Sequence, residues 1–335
     1  FMYDVVKRYS APPYNVEYFE LWNEPEAALE NAERGDYIFG CWGSNAALGW
    51  QSGDPYYGGR YYAKVLKQVY PKVKSANSNA KLLVGGLLFD CDPVNTIIDP
   101  NTNKAKDCTS SKYLEGILVD GGVDYFDGVS YHAYDYYYGA LGVYKNYNWR
   151  SAWNTTGPTQ IAKTNYLKDL LAKYNGSSKT LILSETALVC DSGCDSTFQQ
   201  TKANYLTQSF AVAAAQGIKS VIWYHFFDVW RESGLVDHRT TPQTIHPAYY
   251  AFQFAQKEIG NASSGREISQ EKTKIFEINS SVGRVWVVWS LDGTTQKLSL
   301  PSTPLAAYDV LGNKISATNP MTVTVNPIYI ELPSE

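Results

Sequence analysis

The 335-residue chain has little of several features that define common classes of protein. It has only 4 His and 2 Met residues, no basic run, and a net charge of −4, so a nucleic-acid partner is not expected. No apolar run approaches the length of a membrane span, so no membrane partner is expected. No His/Cys/Asp cluster has metal-ligand spacing and no glycine-rich phosphate loop precedes a helix, so neither a metal nor another cofactor is expected.

Cysteine is scarce, with five residues in the chain. Cys190 and Cys194 are close enough to form a short disulfide, and Cys91 and Cys108 could clip the loop between them. Cys41 would then be left over. This arrangement favours an extracellular, secreted protein, although five buried and reduced thiols remain the alternative.

Aromatic residues are abundant, at 14% of the chain with 27 Tyr and 9 Trp. A large aromatic core would account for many of them. Much of the excess falls in segments predicted to be loops: Trp42, Trp50, Tyr56, Tyr57, Tyr134, Tyr136, Tyr137, Tyr138, Tyr144, Tyr147, Trp149 and Trp153. Aromatic faces with polar rims suit ligands that are apolar on one face and hydroxylated at the edges, as sugars are.

The stretch 18–26 combines a buried strand with a cluster of polar groups. Tyr18, Phe19 and Leu21 favour a strand, and Asn23, Glu24 and Glu26 follow at its carboxyl end, where Pro25 ends the ladder. A carboxylate in such a place must be paired, hydrogen-bonded or protonated. This is the setting of a general acid, although a simple turn would use the same residues.

Two further strands end in residues of the same kind. The strand at 180–184 leads into Glu185, and the strand at 220–226 carries Trp223. With the Asn23-Glu24-Pro25 motif before them, in this order, the chain resembles the retaining glycoside hydrolases of clan A, most closely families 5 and 39. The resemblance covers about residues 14–250. It implies an α/β fold, a (β/α) TIM-type barrel in which Asn-Glu-Pro follows strand 4 and the second Glu follows strand 7.

The order of predicted elements fits this barrel only in part. Strands at 16–21, 81–89, 126–132, 180–184 and 220–226 alternate with helices, which indicates parallel βα units. A full barrel needs eight such units, so the barrel is expected to be incomplete, with strands 4–8 only. From about residue 263 short alternating strands predict a small C-terminal all-β sandwich. The predicted domains are a partial barrel catalytic domain at 1–260 and an accessory sandwich at 263–335.

The resemblance assigns roles to six residues. Glu185 is the expected nucleophile and Glu24 the acid/base, because the two ends of barrel strands 4 and 7 face each other and a retaining enzyme needs two carboxyls about 5–5.5 Å apart. Asn23 is expected to contact the sugar 2-OH, unless it forms an Asx turn. His132 and Tyr134 lie on one face of their strand and resemble the His-x-Tyr of family 5, where the Tyr can hold the nucleophile.

Some of these assignments keep a simpler alternative. Tyr131 could hold the nucleophile instead of Tyr134, and His132 could be a core histidine. Trp223 is expected to form the floor under the bound sugar, with core packing as its alternative, and Glu185 alone could be a strand-end cap.

The sequence therefore predicts a retaining glycosidase that cleaves β-linked bonds of a carbohydrate substrate, a poly- or oligosaccharide. The alternative is a non-catalytic glycan-binding protein built on a truncated barrel. Five parallel strands cannot close a barrel, so if the chain is complete its open edges predict a homo-oligomer.

Overall fold

Helices and parallel strands alternate over the first 260 residues. The computed structural model describes residues 1–26, 54, 56–89, 92–94, 112–151, 153–228 and 230–334. Residues 27–53 and 55, which include Trp42 and Trp50 of the predicted loop segments, therefore lie outside the described residues, as do Cys41 and the proposed Cys91–Cys108 clip. Six α-helices occur in the described part: α1 Met2–Tyr9, α2 Tyr57–Ala76, α3 Tyr113–Val119, α4 Gln160–Lys173, α5 Ser196–Ala215 and α6 Pro247–Ile259. None of these helices is both long and apolar enough to cross a membrane.

The main sheet contains the strands that carry the predicted site residues. Its members are β1 Tyr18–Leu21, β2 Lys81–Leu87, β3 Gly128–Leu141, β4 Tyr147–Arg150, β5 Thr180–Val189 and β6 Val221–Trp223. They are hydrogen-bonded in the order β1-β2-β3-β5-β6, and β4 pairs with β3. β2 runs parallel to both neighbours, with Phe19 opposite Leu82 and Val84 opposite Val129. All but the first residue of β2 are buried, as expected for a central parallel strand.

Two of these strands are longer than the sequence predicted. The tyrosine-rich segment after His132 was predicted to be a loop, and this is wrong: β3 continues to Leu141 and forms an antiparallel hairpin with β4, with Tyr136 opposite Arg150 and Tyr137 opposite Trp149. Tyrosine is a strand former, and the pairing with β4 decides the outcome. Strand β5 likewise continues to Val189, so Glu185 lies inside this strand rather than at its end. A short hairpin of β7 Val236–Asp237 and β8 Thr244–Ile245 follows β6.

The C-terminal residues form two antiparallel sheets. β9 Ser264–Glu267, β10 Thr273–Ser280, β11 Gly283–Ser290, β13 Ala306–Asp309 and β15 Ile328–Leu332 make a five-stranded sheet in the order β13-β15-β11-β10-β9, and β12 Gln296–Leu298 pairs with β14 Met321–Val323. Both sheets supply side chains to one apolar cluster, among them Ile275, Val288, Leu298, Met321 and Val323. This is the all-β region that the sequence predicted; its classification as a sandwich and the 1–260 and 263–335 boundaries stay predictions.

The chain divides into two compact units. The first unit comprises Phe1–His132 with Lys163–Ser184, and the second comprises Ala133–Ala162 with Glu185–Glu335. Within the second unit, the C-terminal strands share a core with α5 and α6. Phe254 of α6 lies 5.1 Å from Tyr329 of β15 between ring centroids, and both belong to a large buried apolar cluster. This shared core explains why these strands group with the helices that precede them.

Candidate active site

Glu24 is held in a fixed backbone conformation just after β1. Trp22 has φ 75° and Glu24 has φ 45°, a left-handed region that side-chain-bearing residues adopt infrequently. The Glu24 N–H donates to the carbonyl oxygen of Gly86 at 3.0 Å, which ties the motif to the end of β2. Unusual backbone geometry of this kind often marks a functional constraint.

The Glu24 carboxyl is paired with His132 of β3 within the first unit. Nδ1 of His132 lies 2.8 Å from Oε1 of Glu24. The imidazole is 1% exposed and the Glu24 side chain is 13% exposed, so the carboxyl is mostly buried but reachable. When Glu24 is ionised, Nδ1 carries the proton and donates it, a charge-assisted bond that fixes both the carboxylate and the tautomer of the ring.

Gly86 makes room for two of the predicted site residues. A Cβ added at Gly86 would lie 2.4 Å from His132 Nε2 and 3.0 Å from Asn23 Oδ1. Asn23 and His132 therefore approach the backbone of Gly86, and any larger residue would displace them. Gly86 was not predicted to belong to the site; its signal in the sequence is a Gly-Gly pair inside an otherwise apolar strand, which indicates close approach by another group.

Two further polar residues support this arrangement, and neither was predicted. The Glu26 carboxylate is buried, and Oε1 accepts a bond from the Phe89 N–H at 3.0 Å, which fixes the segment that follows Glu24. Lys163 of α4 is also buried, and its Nζ donates to the carbonyl oxygens of Leu88 at 2.7 Å and His132 at 2.9 Å. The end of β2 and the middle of β3, beside the Glu24–His132 pair, are thus held by side-chain hydrogen bonds.

Glu185 has its own partner within the second unit. The hydroxyl of Tyr134 donates to Oε2 of Glu185. Tyr134 is buried and packs edge-on against Trp230 and Tyr224, with ring centroids 5.1 and 6.2 Å away. These contacts hold the hydroxyl in place, so it can stabilise negative charge on Glu185.

Hydrogen bonds made by Thr186, next to Glu185, fix the strand that carries Glu185. The neighbouring Thr186 hydroxyl donates to the Ala133 carbonyl oxygen at 2.8 Å, and the Tyr224 N–H donates to the Thr186 carbonyl oxygen at 3.0 Å. Glu185 is therefore presented from a rigid strand interior, which suits a group that must be aimed precisely.

Tyr131, the alternative to Tyr134 as the partner of Glu185, bonds to a different group. Its hydroxyl pairs with the Thr164 hydroxyl at 2.5 Å in a fully buried position, and burial raises the pKa of Tyr131. Of these two tyrosines, Tyr134 is the one whose hydroxyl donates to Glu185, and the catalytic roles of both residues stay predictions.

Trp223 lies in the apolar core of the second unit. It is 7% exposed, and its indole Nε1 donates to the Ser233 carbonyl oxygen at 2.9 Å. Its ring packs edge-on against Tyr205 with centroids 6.3 Å apart. Core packing therefore accounts for most of its surface, and a sugar contact stays a prediction.

The predicted disulfide between Cys190 and Cys194 is present and lies just after β5. The Cys190 N–H donates to the Arg231 carbonyl oxygen at 2.9 Å. The crosslink and this bond restrain the segment that follows the Glu185 strand.

Comparison with known proteins places this fold among glycoside hydrolases. No protein-family model matches the sequence, and no curated protein matches it. The structure is similar to a family 39 glycoside hydrolase from the gut symbiont Bacteroides cellulosilyticus WH2, with a TM-score of 0.64 and 18% identity over 99% of this chain and 60% of the other. It is also similar to a family 30 endoxylanase from Clostridium papyrosolvens C71, with a TM-score of 0.52 and 13% identity over 98% and 68%.

A β-porphyranase of family 86 from the human gut bacterium Bacteroides plebeius gives a TM-score of 0.56 and 12% identity over 98% of this chain and 59% of the other. The chain therefore spans about 60% of the length of the family 39 and family 86 structures that it matches. These structural neighbours confirm, at the level of the fold, the resemblance to glycoside hydrolases of clan A type and a TIM-barrel-like arrangement.

Proposed function

We propose that this chain is a retaining glycoside hydrolase that cleaves β-linked bonds of a poly- or oligosaccharide by double displacement. The observation that carries the proposal is the hydrogen bond from the buried Tyr134 hydroxyl to Glu185. A carboxylate that accepts a fixed hydroxyl donor inside a rigid strand is suited to stay ionised and attack, which is what the nucleophile of such an enzyme must do. The fold supports the proposal because its structural neighbours are glycoside hydrolases.

The roles of the carboxyl groups follow from this mechanism. Glu185 attacks the anomeric carbon and forms a covalent glycosyl-enzyme, while the Glu24 carboxyl gives its proton to the leaving oxygen. Glu24, now a carboxylate, then takes a proton from water as that water displaces Glu185 from the sugar. His132 fits this cycle because its Nδ1 can donate to Glu24 whenever Glu24 is ionised.

The remaining proposed contacts are with the sugar. Asn23 is proposed to bond the 2-OH, a contact that strengthens in the transition state. His132 and Tyr134 are proposed to line the sugar subsite beside the carboxyl that each one bonds, and Trp223 is proposed to lie beneath the sugar.

The first test is turnover of aryl β-glycosides and of polysaccharides that include β-glucan, xylan and porphyran. The wild-type chain is expected to hydrolyse at least one of them, and NMR of the first product should show the β-anomer. Glu185→Gln should abolish this activity while the protein stays folded. Saccharide binding by the wild type without any turnover would instead favour the non-catalytic glycan-binding alternative.

The second test separates the two carboxyls. Glu24→Ala should retain the first step on substrates with nitrophenolate leaving groups, because these need little protonation. Azide should then accelerate the second step and give a β-glycosyl azide. Equal loss on aryl and alkyl glycosides, with no azide product, would exclude Glu24 as the acid/base.

A further inference from the structure

A cleft of about 400 Å³ lies along the β3–β4 hairpin in the second unit. Its walls include Tyr136 and Tyr138 of β3, Arg150 of β4, and Asp191 and Ser192 of the segment closed by the disulfide. Tyr136 is 39% exposed and Tyr138 is 49% exposed, so both rings offer apolar surface to a ligand. The sequence predicted that these tyrosines lie in a loop and suit a sugar ligand; in the structure they lie on strand β3.

Arg150 gives this cleft a cationic donor. Its guanidinium carbon lies 3.6 Å from the centroid of the Tyr138 ring, so the group is stacked on that ring. Within the described ranges no carboxylate lies at ion-pair distance from Arg150. A stacked guanidinium presents its N–H groups as a planar fork that matches a carboxylate or a sulfate.

Asp191, the acidic residue in the cleft wall, is paired with Arg231. Asp191 Oδ1 lies 3.1 Å from Nε of Arg231, whose guanidinium carbon is 5.6 Å from the Tyr136 ring centroid and 5.2 Å from that of Trp230. The Asp191 charge therefore does not offset that of Arg150. Arg150, Asp191 and Arg231 together carry one net positive charge, in a protein whose overall charge is −4.

The cleft lies farther along β3, the strand that carries Tyr134. Tyr134, which donates to Glu185, is followed on the same face of β3 by Tyr136 and Tyr138. Four strand residues span about 13 Å, so a group bound near Tyr138 belongs to a different sugar unit from the one that Glu185 attacks.

We propose that the substrate is an acidic glycan, and that Arg150 binds its carboxylate or sulfate on a sugar unit beyond the one attacked, while neighbouring sugars pack on Tyr136 and Tyr138. This inference rests on the proposed function, because it names the substrate class of that enzyme. Uronic acids and sulfate esters both supply a negative charge on oxygen acceptors, planar in a carboxylate and tetrahedral in a sulfate. The experiment must therefore distinguish them.

The test uses the full chain carrying Glu185→Gln, applied to an array of immobilised neutral, uronate-bearing and sulfated oligosaccharides. We expect binding to acidic glycans only, and we expect Arg150→Met to weaken it at least tenfold. Arg150→Lys should retain part of the affinity, because it keeps the charge and loses the fork. Uronate-bearing or sulfated spots will identify the source of the charge.

Arg8→Met is the matched control. Arg8 also lies over a tyrosine ring, 5.3 Å from the centroid of Tyr9, but on helix α1 and outside the cleft. The Arg8→Met variant should bind the array as the parent does. An equal loss of glycan binding in Arg8→Met and Arg150→Met would show non-specific charge attraction and overturn the proposal. Arg150 is exposed, so its variants should fold, which their thermal unfolding will show.

The outcomes separate this inference from the proposed function. The inference would be overturned if the protein bound only neutral glycans, if it bound no acidic glycans, or if Arg150→Met bound acidic glycans as tightly as its parent. In each of these cases, turnover by the wild type that is lost in Glu185→Gln would still support the glycosidase. Arg150-dependent binding of acidic glycans by a wild-type chain that cleaves nothing would instead overturn the proposed activity.

Discussion

At the scale of single residues, the hydroxyl of Tyr134 makes the contact closest to the proposed reaction, because it donates to Glu185. We expect Tyr134→Phe to lower kcat/KM by about 10- to 150-fold, because a hydrogen bond to a charged group contributes about 1.5–3 kcal/mol. Tyr137→Phe is the control, since Tyr137 packs against Phe198 at a centroid distance of 5.2 Å. Steady-state kinetics on an aryl glycoside would contradict the assignment if both variants kept full activity.

Gly86 is the second residue that the site depends on. Gly86→Ala should lower activity at least tenfold, because the added methyl would press on His132 Nε2 and Asn23 Oδ1. Gly128→Ala is a matched control in β3, where a Cβ would lie 2.5 Å from the Thr180 carbonyl oxygen. Both changes should reduce stability by about 1–3 kcal/mol.

Activity per folded molecule distinguishes the two glycine variants. It should fall for Gly86→Ala and stay near wild type for Gly128→Ala. Equal activities per folded molecule would show that Gly86 has only a packing role.

At the scale of elements, α5 connects the Glu185 strand to the C-terminal core and depends on its first turn. Oδ1 of Asp195 accepts from the Phe198 N–H at 3.0 Å and caps the helix. Asp195→Ala should reduce the free energy of unfolding by about 0.5–2 kcal/mol. Ser196→Ala, one residue later and exposed, should change it little in the same urea titration.

The same helix carries a buried lysine that makes stability depend on pH. Lys202 has no exposed side-chain surface, donates to the carbonyl oxygens of Glu232 and Gly234, and lies 3.9 Å from Asp228 Oδ1. Desolvation lowers the pKa of Lys202 to about 8, although Asp228 opposes the shift. Between pH 8 and 10.5 the unfolded chain therefore binds a proton that the folded chain has lost.

The lowered pKa of Lys202 should make the free energy of unfolding increase with pH. Because the unfolded state binds more protons over that range, the contribution of Lys202 to the free energy of unfolding should increase with pH, by up to about 3 kcal/mol. Urea unfolding of the wild type and Lys202→Met from pH 7 to 10 should show a steeper increase with pH in the wild type. Equal slopes would mean that Lys202 keeps an ordinary pKa.

At the scale of the whole molecule, the order of the main sheet leaves two end strands. In the residues that the structure describes, β1 pairs only with β2 and β6 pairs only with β5. Ile222 of β6 is 53% exposed, which is unusual for an apolar residue of a parallel sheet in a (β/α) fold. Unpaired strand edges with exposed apolar residues favour association with another chain.

We therefore expect the chain of residues 1–335 to self-associate in solution, as the sequence predicted. Ile222→Lys should shift light scattering toward the monomer, because a charge on an end strand opposes pairing. Leu305→Lys, at a residue 65% exposed in the C-terminal region, should leave the scattering unchanged. A monomeric wild-type chain at high concentration would contradict the expectation.

The sequence by itself determined the elements and the two candidate carboxyls. Strands that alternate with helices before residue 260, and short strands after residue 263, are present as predicted, because the periodicity of apolar residues and the turn signals act locally. Glu24 and Glu185 could be singled out because each follows a run of strand-forming residues. The short separation of Cys190 and Cys194 likewise made possible the disulfide that the structure contains, with reduced thiols as the alternative.

The tertiary structure decided which contacts those carboxyls make. His132 reaches Glu24 across 108 residues. Tyr134, which the His-x-Tyr resemblance favoured over Tyr131, reaches Glu185 across 51. The roles of Gly86 and Lys163, and the extension of β3 into a hairpin, also depend on partners distant in sequence. Hydrogen bonds and close packing between strands depend on which distant segments the folded chain brings together. A local sequence pattern holds no information about those partners.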